Sequence, residues 1–425
     1  MARPPKTRSI EKGGRRMRKR LLASMVFFMV LSALITLSGG TVRAQQQTIP
    51  IGILGPFTGS LAFNAEEMKK GMLLAVDEVN AKGGILGRKV ELIFGDTEAK
   101  PDKGVAAVKK LITRDKVLVV GGGYASSVNI ATSEVCQNEK TPIVVAIAIS
   151  PTITNRGFDY VFRTSPNSPQ FLAGMNEWLE KVKKPKTVAF LMENTDYGRD
   201  GEKIWSAQAK KIGAKELAHL YFEIGDTDFT TQISKLKELK PEVTFNIAST
   251  TEAALIQKQA KELNFVTQWI GVGGQFTEAY FKMTGPLCQY AMGSSLEPTL
   301  AMKNPIVADF VKRYEAKYQK ARPGIFSSQG YDNIMVIMDA IQRVGKLTGD
   351  LQKDRDAIRD ALRKTSIELT QGKIEFDKNG QVYTVVPSPV QVQLVAGKPQ
   401  LFIIYPPDRA GSTYQEPLPW EKRKL

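Results

Sequence analysis

From residue 49 onward the chain alternates short β-rich runs with amphipathic helical runs, and few folds accept that rhythm. Runs at 49–54, 90–94, 117–120 and 143–148 read as strands, with helices predicted between them at 64–80, 101–113 and 127–138. Met68, Met72, Ala75, Val76 and Val79 recur at helical spacing in the first helix, Gly83-Gly84 ends it, and Pro101 suits the first turn of the next. Strands joined through helices pair in parallel, with helices on both sheet faces. The rhythm restarts after a crossing strand at 160–163. Strands are predicted at 187–191, 218–223, 243–247 and 269–272, and helices at 169–182, 201–212, 230–239, 252–263 and 277–283. Helices at 305–318, 329–344 and 353–364 follow, then strands at 372–377, 382–386 and 390–395. The expected fold class is α/β, with two doubly wound parallel-sheet lobes. No Pro/Gly/Ser-rich tether separates them, so they share a cleft, and ligands of open parallel sheets bind beyond the carboxyl ends of the strands.

The first 44 residues read as a leader. Ten basic residues and one acidic residue fall there, most of the charge lies before an apolar run at 21–37, and Val42-Arg43-Ala44 offers a small-residue cleavage site. The alternative, a membrane anchor, needs about 20 apolar residues, and this run is interrupted by Ser24, Ser32 and Thr36. No cysteine near the cut suggests a lipid anchor. A cleaved leader implies a periplasmic protein. It also changes the meaning of the charge: the chain carries 59 basic and 43 acidic residues, but only 49 and 42 beyond residue 44, so the excess falls from +16 to +7 and no nucleic-acid partner is expected.

Catalytic and metal chemistries have little to work with. The only histidine, His219, lies in a predicted strand and is read as structural. Cys136 and Cys288 lie in different lobes, outside any disulfide framework, and are expected buried and free. No G-x-S-x-G elbow occurs, which weakens a secreted α/β hydrolase as the alternative function. A ligand sensor serving a regulatory partner shares the fold class, but no helix-turn-helix accompanies it. Neither a metal nor a cofactor is expected.

Several motifs, taken in order, resemble one family. They are Ile51-Gly52-Ile53-Leu54-Gly55-Pro56-Phe57-Thr58-Gly59, then the segment from Asp77 to Gly87, Asp196-Tyr197-Gly198, Tyr331-Asp332, and Phe376-Asp377-Lys378-Asn379-Gly380. The chain resembles the type I periplasmic binding proteins, in the branched-chain amino acid receptor group of ABC importers, over about residues 45–420. The resemblance implies lobe 1 at 47–163 plus 297–372, lobe 2 at 164–296 plus 373–405, a three-segment hinge and a tail at 406–425, for which a surface strap across a lobe is the plainest reading. It implies a monomeric, non-enzymatic receptor that delivers a small carboxylate, amino acid or amide-type ligand to inner-membrane permease subunits by lobe closure.

Candidate site residues follow. Gly121-Gly122-Gly123-Tyr124-Ala125-Ser126-Ser127 sits between a strand and a helix, but lacks the spacing of a dinucleotide or phosphate loop. Hydroxyls and free N–H groups at a helix start suit a carboxylate. The resemblance places one at Ser126 or Ser127, beside Tyr124; in the bland alternative the serines only cap the helix. It assigns the loop Ala146-Ile147-Ala148-Ile149-Ser150 a ligand-binding carbonyl and hydroxyl. The hydroxyl position falls on Ile149, so Ser150 would have to compensate. Tyr197 aligns with an aromatic that covers the ligand. Phe57, Phe63 and Phe326 are candidates for the apolar side, and Ser249 and Thr250 follow a strand facing the cleft. In Gly271-Val272-Gly273-Gly274-Gln275 the receptors carry a glutamate that holds the ligand ammonium, and here its position falls on Gly273. Either another acid, such as Glu278, replaces it, or the ligand lacks an ammonium and Gln275 reads a polar group instead. The second account is preferred, because an unpaired buried ammonium costs several kcal/mol.

Overall fold

The structure, a computed structural model, describes residues 1–3 and 48–423. The expected leader therefore lies outside the described residues, apart from its first three positions. Thr48–Leu425 forms one compact unit built of two α/β domains.

The first domain begins with β1 (Ile49–Gly55), α1 (Ala62–Ala81), β2 (Val90–Asp96), α2 (Pro101–Thr113), β3 (Val119–Gly122), α3 (Ser126–Asn138), β4 (Ile143–Val145) and β5 (Val161–Arg163). The strands form one sheet in the order β2-β1-β3-β4-β5, and every pairing is parallel. Ile49, Ile51 and Ile53 are fully buried. A strand covered by helices on both faces reads as continuously apolar, not alternating.

The chain then crosses to α4 (Ser168–Trp178), β6 (Thr187–Glu193), α5 (Asp196–Lys211), β7 (Lys215–Phe222), α6 (Thr230–Leu239), β8 (Val243–Ile247), α7 (Thr250–Glu262), β9 (Gln268–Val272), α8 (Glu278–Thr284) and β10 (Met292–Ser295). It returns to the first domain through α9 (Pro305–Lys317), α10 (Ile325–Val344), which packs on α1, and α11 (Leu351–Leu362). β11 (Ser366–Leu369) and β12 (Gly372–Glu375) pair as a separate antiparallel ribbon. β13 (Ser388–Val395) and β14 (Lys398–Ile403) complete the second sheet, ordered β14-β13-β10-β9-β8-β6-β7. Its edge, β10–β13–β14, is antiparallel.

The expected strand at 382–386 is absent. Gln381 and Val382 make only isolated bridges, to Arg163 and Phe376, and Pro387, which has no N–H to donate, follows. Here two chain crossings lie side by side: Arg163 N donates to Gly380 O at 2.8 Å, and Val382 N to Arg163 O at 3.1 Å. The buried Arg163 side chain stitches them to the neighbouring loop, donating to Gln381 Oε1 (2.7 Å), Ser150 O (2.7 Å) and Ala148 O (3.1 Å). The third crossing follows β10. The tail runs along the second domain, where Gln415 N donates to Gln391 Oε1 at 2.9 Å and Trp420 Nε1 to Phe265 O at 2.8 Å. Cys136 and Cys288 are buried and unpaired.

Candidate functional site: a cavity between two switch points

Each sheet has a position where its strand order reverses. In the first sheet β1 is flanked by β2 and β3; in the second β6 is flanked by β7 and β8. At such reversals neighbouring loops diverge and leave a crevice beyond the strand ends. One cavity lies between the two. The space open in it to the centres of water-sized molecules is about 60 Å³. The residues after β3 and β4 form one wall, and those after β6, β8 and β9 the other.

On the first wall are Tyr124, Ala125, Ser126 and Ser127 at the start of α3, then Ile147, Ala148 and Ile149. No side chain caps α3, whose N-cap is Ala125. The serines therefore do not serve as its caps, and the first turn presents backbone donors and the positive end of the helix dipole. Ser126 Oγ accepts from Ser150 N at 3.3 Å, tying the two loops together. The Ser150 hydroxyl is committed to Asp200 of the second domain and lies off the wall, so it does not compensate for Ile149. The carbonyls of Ile147, Ala148 and Ile149 already accept from Ser165, Arg163 and Ser168.

The second wall carries Glu193 and Thr195 after β6, Tyr197 in the first turn of α5, Ala248 and Ser249 after β8, and Gly273 and Gly274 after β9. Thr195 caps α5 by accepting from Gly198 N at 3.5 Å. The helix folds back so tightly that a Cβ on Gly198 would come within 1.9 Å of Glu193 O, which explains the glycine of the Asp-Tyr-Gly motif. Glu193 is 3% exposed. Its carboxylate accepts from Thr195 Oγ1 (2.9 Å) and Ser249 Oγ (3.0 Å). Burial pushes its pKa up to about 7; the two hydroxyls oppose that shift and nearby Glu252 adds to it. Leu61, Phe171, Ile325 and Phe326 line the apolar part of the cavity, with Phe326 edge-on to Tyr124 at 5.3 Å.

Five expected residues are not on the wall. Phe57 packs edge-on against Phe94 at 5.3 Å, and Phe63 is 52% exposed. Ala146 is buried in the strand-end loop, its N–H donating to Gly122 O at 2.7 Å. Gln275 turns back under its own loop and donates to Asn246 O at 2.9 Å. Thr250 Oγ1 lies 2.8 Å from Gly274 O and 3.2 Å from Asn64 Oδ1. Asn64 in turn donates to the Tyr124 hydroxyl at 2.7 Å. Thr250 is thus part of a polar chain joining the two domains beside the cavity.

Gly273 is on the wall, but a Cβ there would lie 3.1 Å from Ile325 Cδ1 and 3.3 Å from Phe171 Cζ, so the position is tight for any side chain. Glu278 lies off the wall and pairs with Lys282 at 2.7 Å. The acid that does reach the cavity is Glu193, which sequence reading missed. Its signal was the position directly after an apolar strand, at a sheet reversal. His219 lies off the wall, stacked on Phe190 at 4.5 Å between Glu202 and Glu216.

Comparison with known proteins agrees with this architecture. The Leu/Ile/Val-binding protein homolog 3 of Brucella melitensis is 28% identical over 366 residues, covering 86% of this chain and 95% of that protein. The crystal structure of a leucine binding protein, LivK, from Thermotoga maritima superposes with a TM-score of 0.75 at 26% identity, over 85% of this chain and 99% of that one. A solute binding protein of an R. palustris ABC transporter, solved with benzoate, has the same fold, with a TM-score of 0.74 at 21% identity over 84% of this chain and 95% of that one. The sequence model of the periplasmic binding protein family matches residues 48–390, and with two α/β domains enclosing a cavity at their switch points, this chain belongs to that family.

Proposed function

We propose that this protein is an extracytoplasmic solute receptor of an ABC importer, that it takes a small carboxylate-bearing ligand into the cavity between its domains, and that the closed form is what inner-membrane permease subunits recognise. The single observation behind the carboxylate is the α3 N-terminus, which opens uncapped into a largely apolar cavity beside Ser126 and Ser127. A helix start offers an anion fixed donors without introducing a mobile counter-charge. The carboxylate docks there, and the aliphatic or aromatic body of the ligand lies against Leu61, Phe171, Ile325 and Phe326.

Closure follows from linkage. A ligand shifts an equilibrium between open and closed forms only by its preference for one of them. Tyr197 and Ser249 belong to the second domain and touch the cavity together with first-domain residues, so a ligand contacts both sets at once only when the domains meet. Micromolar affinity needs about 8 kcal/mol, within reach of a few hydrogen bonds and one buried apolar group. No covalent step is assigned to the receptor. The leader at 1–44 would place it in the periplasm.

The test is a thermal-shift screen of amino acids, aromatic acids, short aliphatic acids, amides and ureas. At least one carboxylate should raise the melting temperature in a dose-dependent way, and Ser127→Ala should weaken it. Stabilisation by amides or ureas alone would refute the carboxylate reading.

A further inference from the structure

The cavity carries an ionisable acid and no base. Glu193 is on its wall, and among the described residues no Lys, Arg or His lines it. Among the described residues no cation forms an ion pair with Glu193; its two oxygens accept from the Thr195 hydroxyl and from the hydroxyl and backbone of Ser249. Each carboxylate oxygen can accept a second bond. The groups facing Glu193 from neighbouring elements do not supply a charge partner. Glu252 of α7 is fully buried and acidic, bonded to Gly225 N at 2.9 Å through one oxygen while the other has no hydrogen-bond partner. Tyr124 and Tyr197 are phenols that burial keeps neutral. The carbonyls of Ile147, Ala148 and Ile149 on the opposite wall each already accept at least one bond and carry no charge to match a cation.

A buried carboxylate without a counter-ion is costly, and a ligand that supplies the counter-ion recovers that cost. A ligand bearing only a carboxylate would instead add negative charge beside Glu193 and Glu252. Resting on the receptor reading above, we propose that Glu193 determines specificity by holding a protonated amine of the ligand, in the role that the resembling receptors give to a glutamate at the position of Gly273. At Gly273 itself, packing against Ile325 and Phe171 leaves little room for a side chain.

The experiment is calorimetric titration with matched pairs that differ only in the amine: leucine and 4-methylpentanoate, phenylalanine and 3-phenylpropanoate, 4-aminobutanoate and butanoate. At pH 8 the amine-bearing member of at least one pair should bind at least about tenfold more tightly than its partner. Glu193→Gln should remove that preference without lowering the melting temperature of the empty protein, and Glu193→Asp should restore part of it. Because Glu193 titrates at about 7 in the empty protein, wild-type affinity for the amine should fall about thirtyfold from pH 8 to pH 5.5, while the Gln variant stays flat. Glu252→Gln, off the wall, should cost far less. Tighter binding of an amine-free member, undiminished amine binding by Glu193→Gln, or an equal loss in Glu252→Gln would overturn the assignment while leaving the receptor reading intact. A wild-type protein that bound neither member of any pair would overturn both.

Discussion

The two walls of the cavity differ in chemistry although both end parallel sheets of the same kind. The first offers donors fixed in the backbone: a helix start and a loop whose carbonyls are held by Ser165, Arg163 and Ser168. The second offers side chains, Glu193, Thr195, Tyr197 and Ser249. The first wall binds chiefly by backbone geometry, to which the Ser126 and Ser127 hydroxyls add. A wall made of side chains carries the charge, so selectivity concentrates there.

The largest effect expected from testing this contrast is at Arg163. Replacing it with Met strands the carbonyl of Ala148 in a buried site and removes the charged donor from Ser150 O and Gln381 Oε1, which keep only Ile153 N and the Thr154 hydroxyl. A loss of about 3–5 kcal/mol in urea unfolding, with weaker ligand binding, is expected. An unchanged urea midpoint would mean that the first wall does not depend on this residue.

The second test compares buried acids in the two domains. Glu67, on α1 and off the cavity, is raised to about 7, first by burial and then by Glu278, much as Glu193 is raised by burial. Both bind a proton more tightly in the folded than in the unfolded chain. Their contribution is fully present below about pH 4.5 and is lost as pH rises toward 7, by about 3 kcal/mol each at the limit. Chemical unfolding of the empty protein at pH 5 and pH 8 should show this decline, and Glu67→Gln should reduce it without altering ligand affinity. If Glu67→Gln changed affinity as much as Glu193→Gln, the division of labour between the walls would fail.

Smaller effects separate the remaining contacts. Ser127→Ala, on the backbone wall, should weaken a carboxylate ligand by about 1–1.5 kcal/mol, or roughly tenfold, in calorimetry. Thr250→Val removes one link in the Gly274–Thr250–Asn64–Tyr124 chain between domains. About 1 kcal/mol is expected, read as a larger radius of gyration of the empty protein in X-ray scattering. An unchanged radius would mean that this chain does not hold the domains together.

The same contrast explains what could be read from sequence. The βα rhythm revealed the doubly wound sheets because strands buried on both faces are unmistakably apolar. β10 escaped because Met-Gly-Ser-Ser has no branched run; it is a strand only because β9 and β13 lie on either side. β14 escaped because Lys398 and Pro399 open it at a sheet edge. At the site, the helix start at Ser126 and the tyrosine of Asp196-Tyr197-Gly198 were legible, since loops after strands lead to the cleft whichever way their side chains turn. Phe57 and Phe63 were not, since a phenylalanine in a sequence does not disclose its direction. Glu193 required the strand order: in the sequence it is only an acid before a turn, and only the reversal at β6 brings it to the cavity.

The burial of Glu193 has one more consequence. An empty receptor already bears the strain of an unanswered negative charge, so tolerance of heat and power of discrimination pull against each other at this residue. A neutral side chain there should give a sturdier molecule with poorer discernment, and breeding this protein for robustness alone would tend to erase the very group that tells one solute from another.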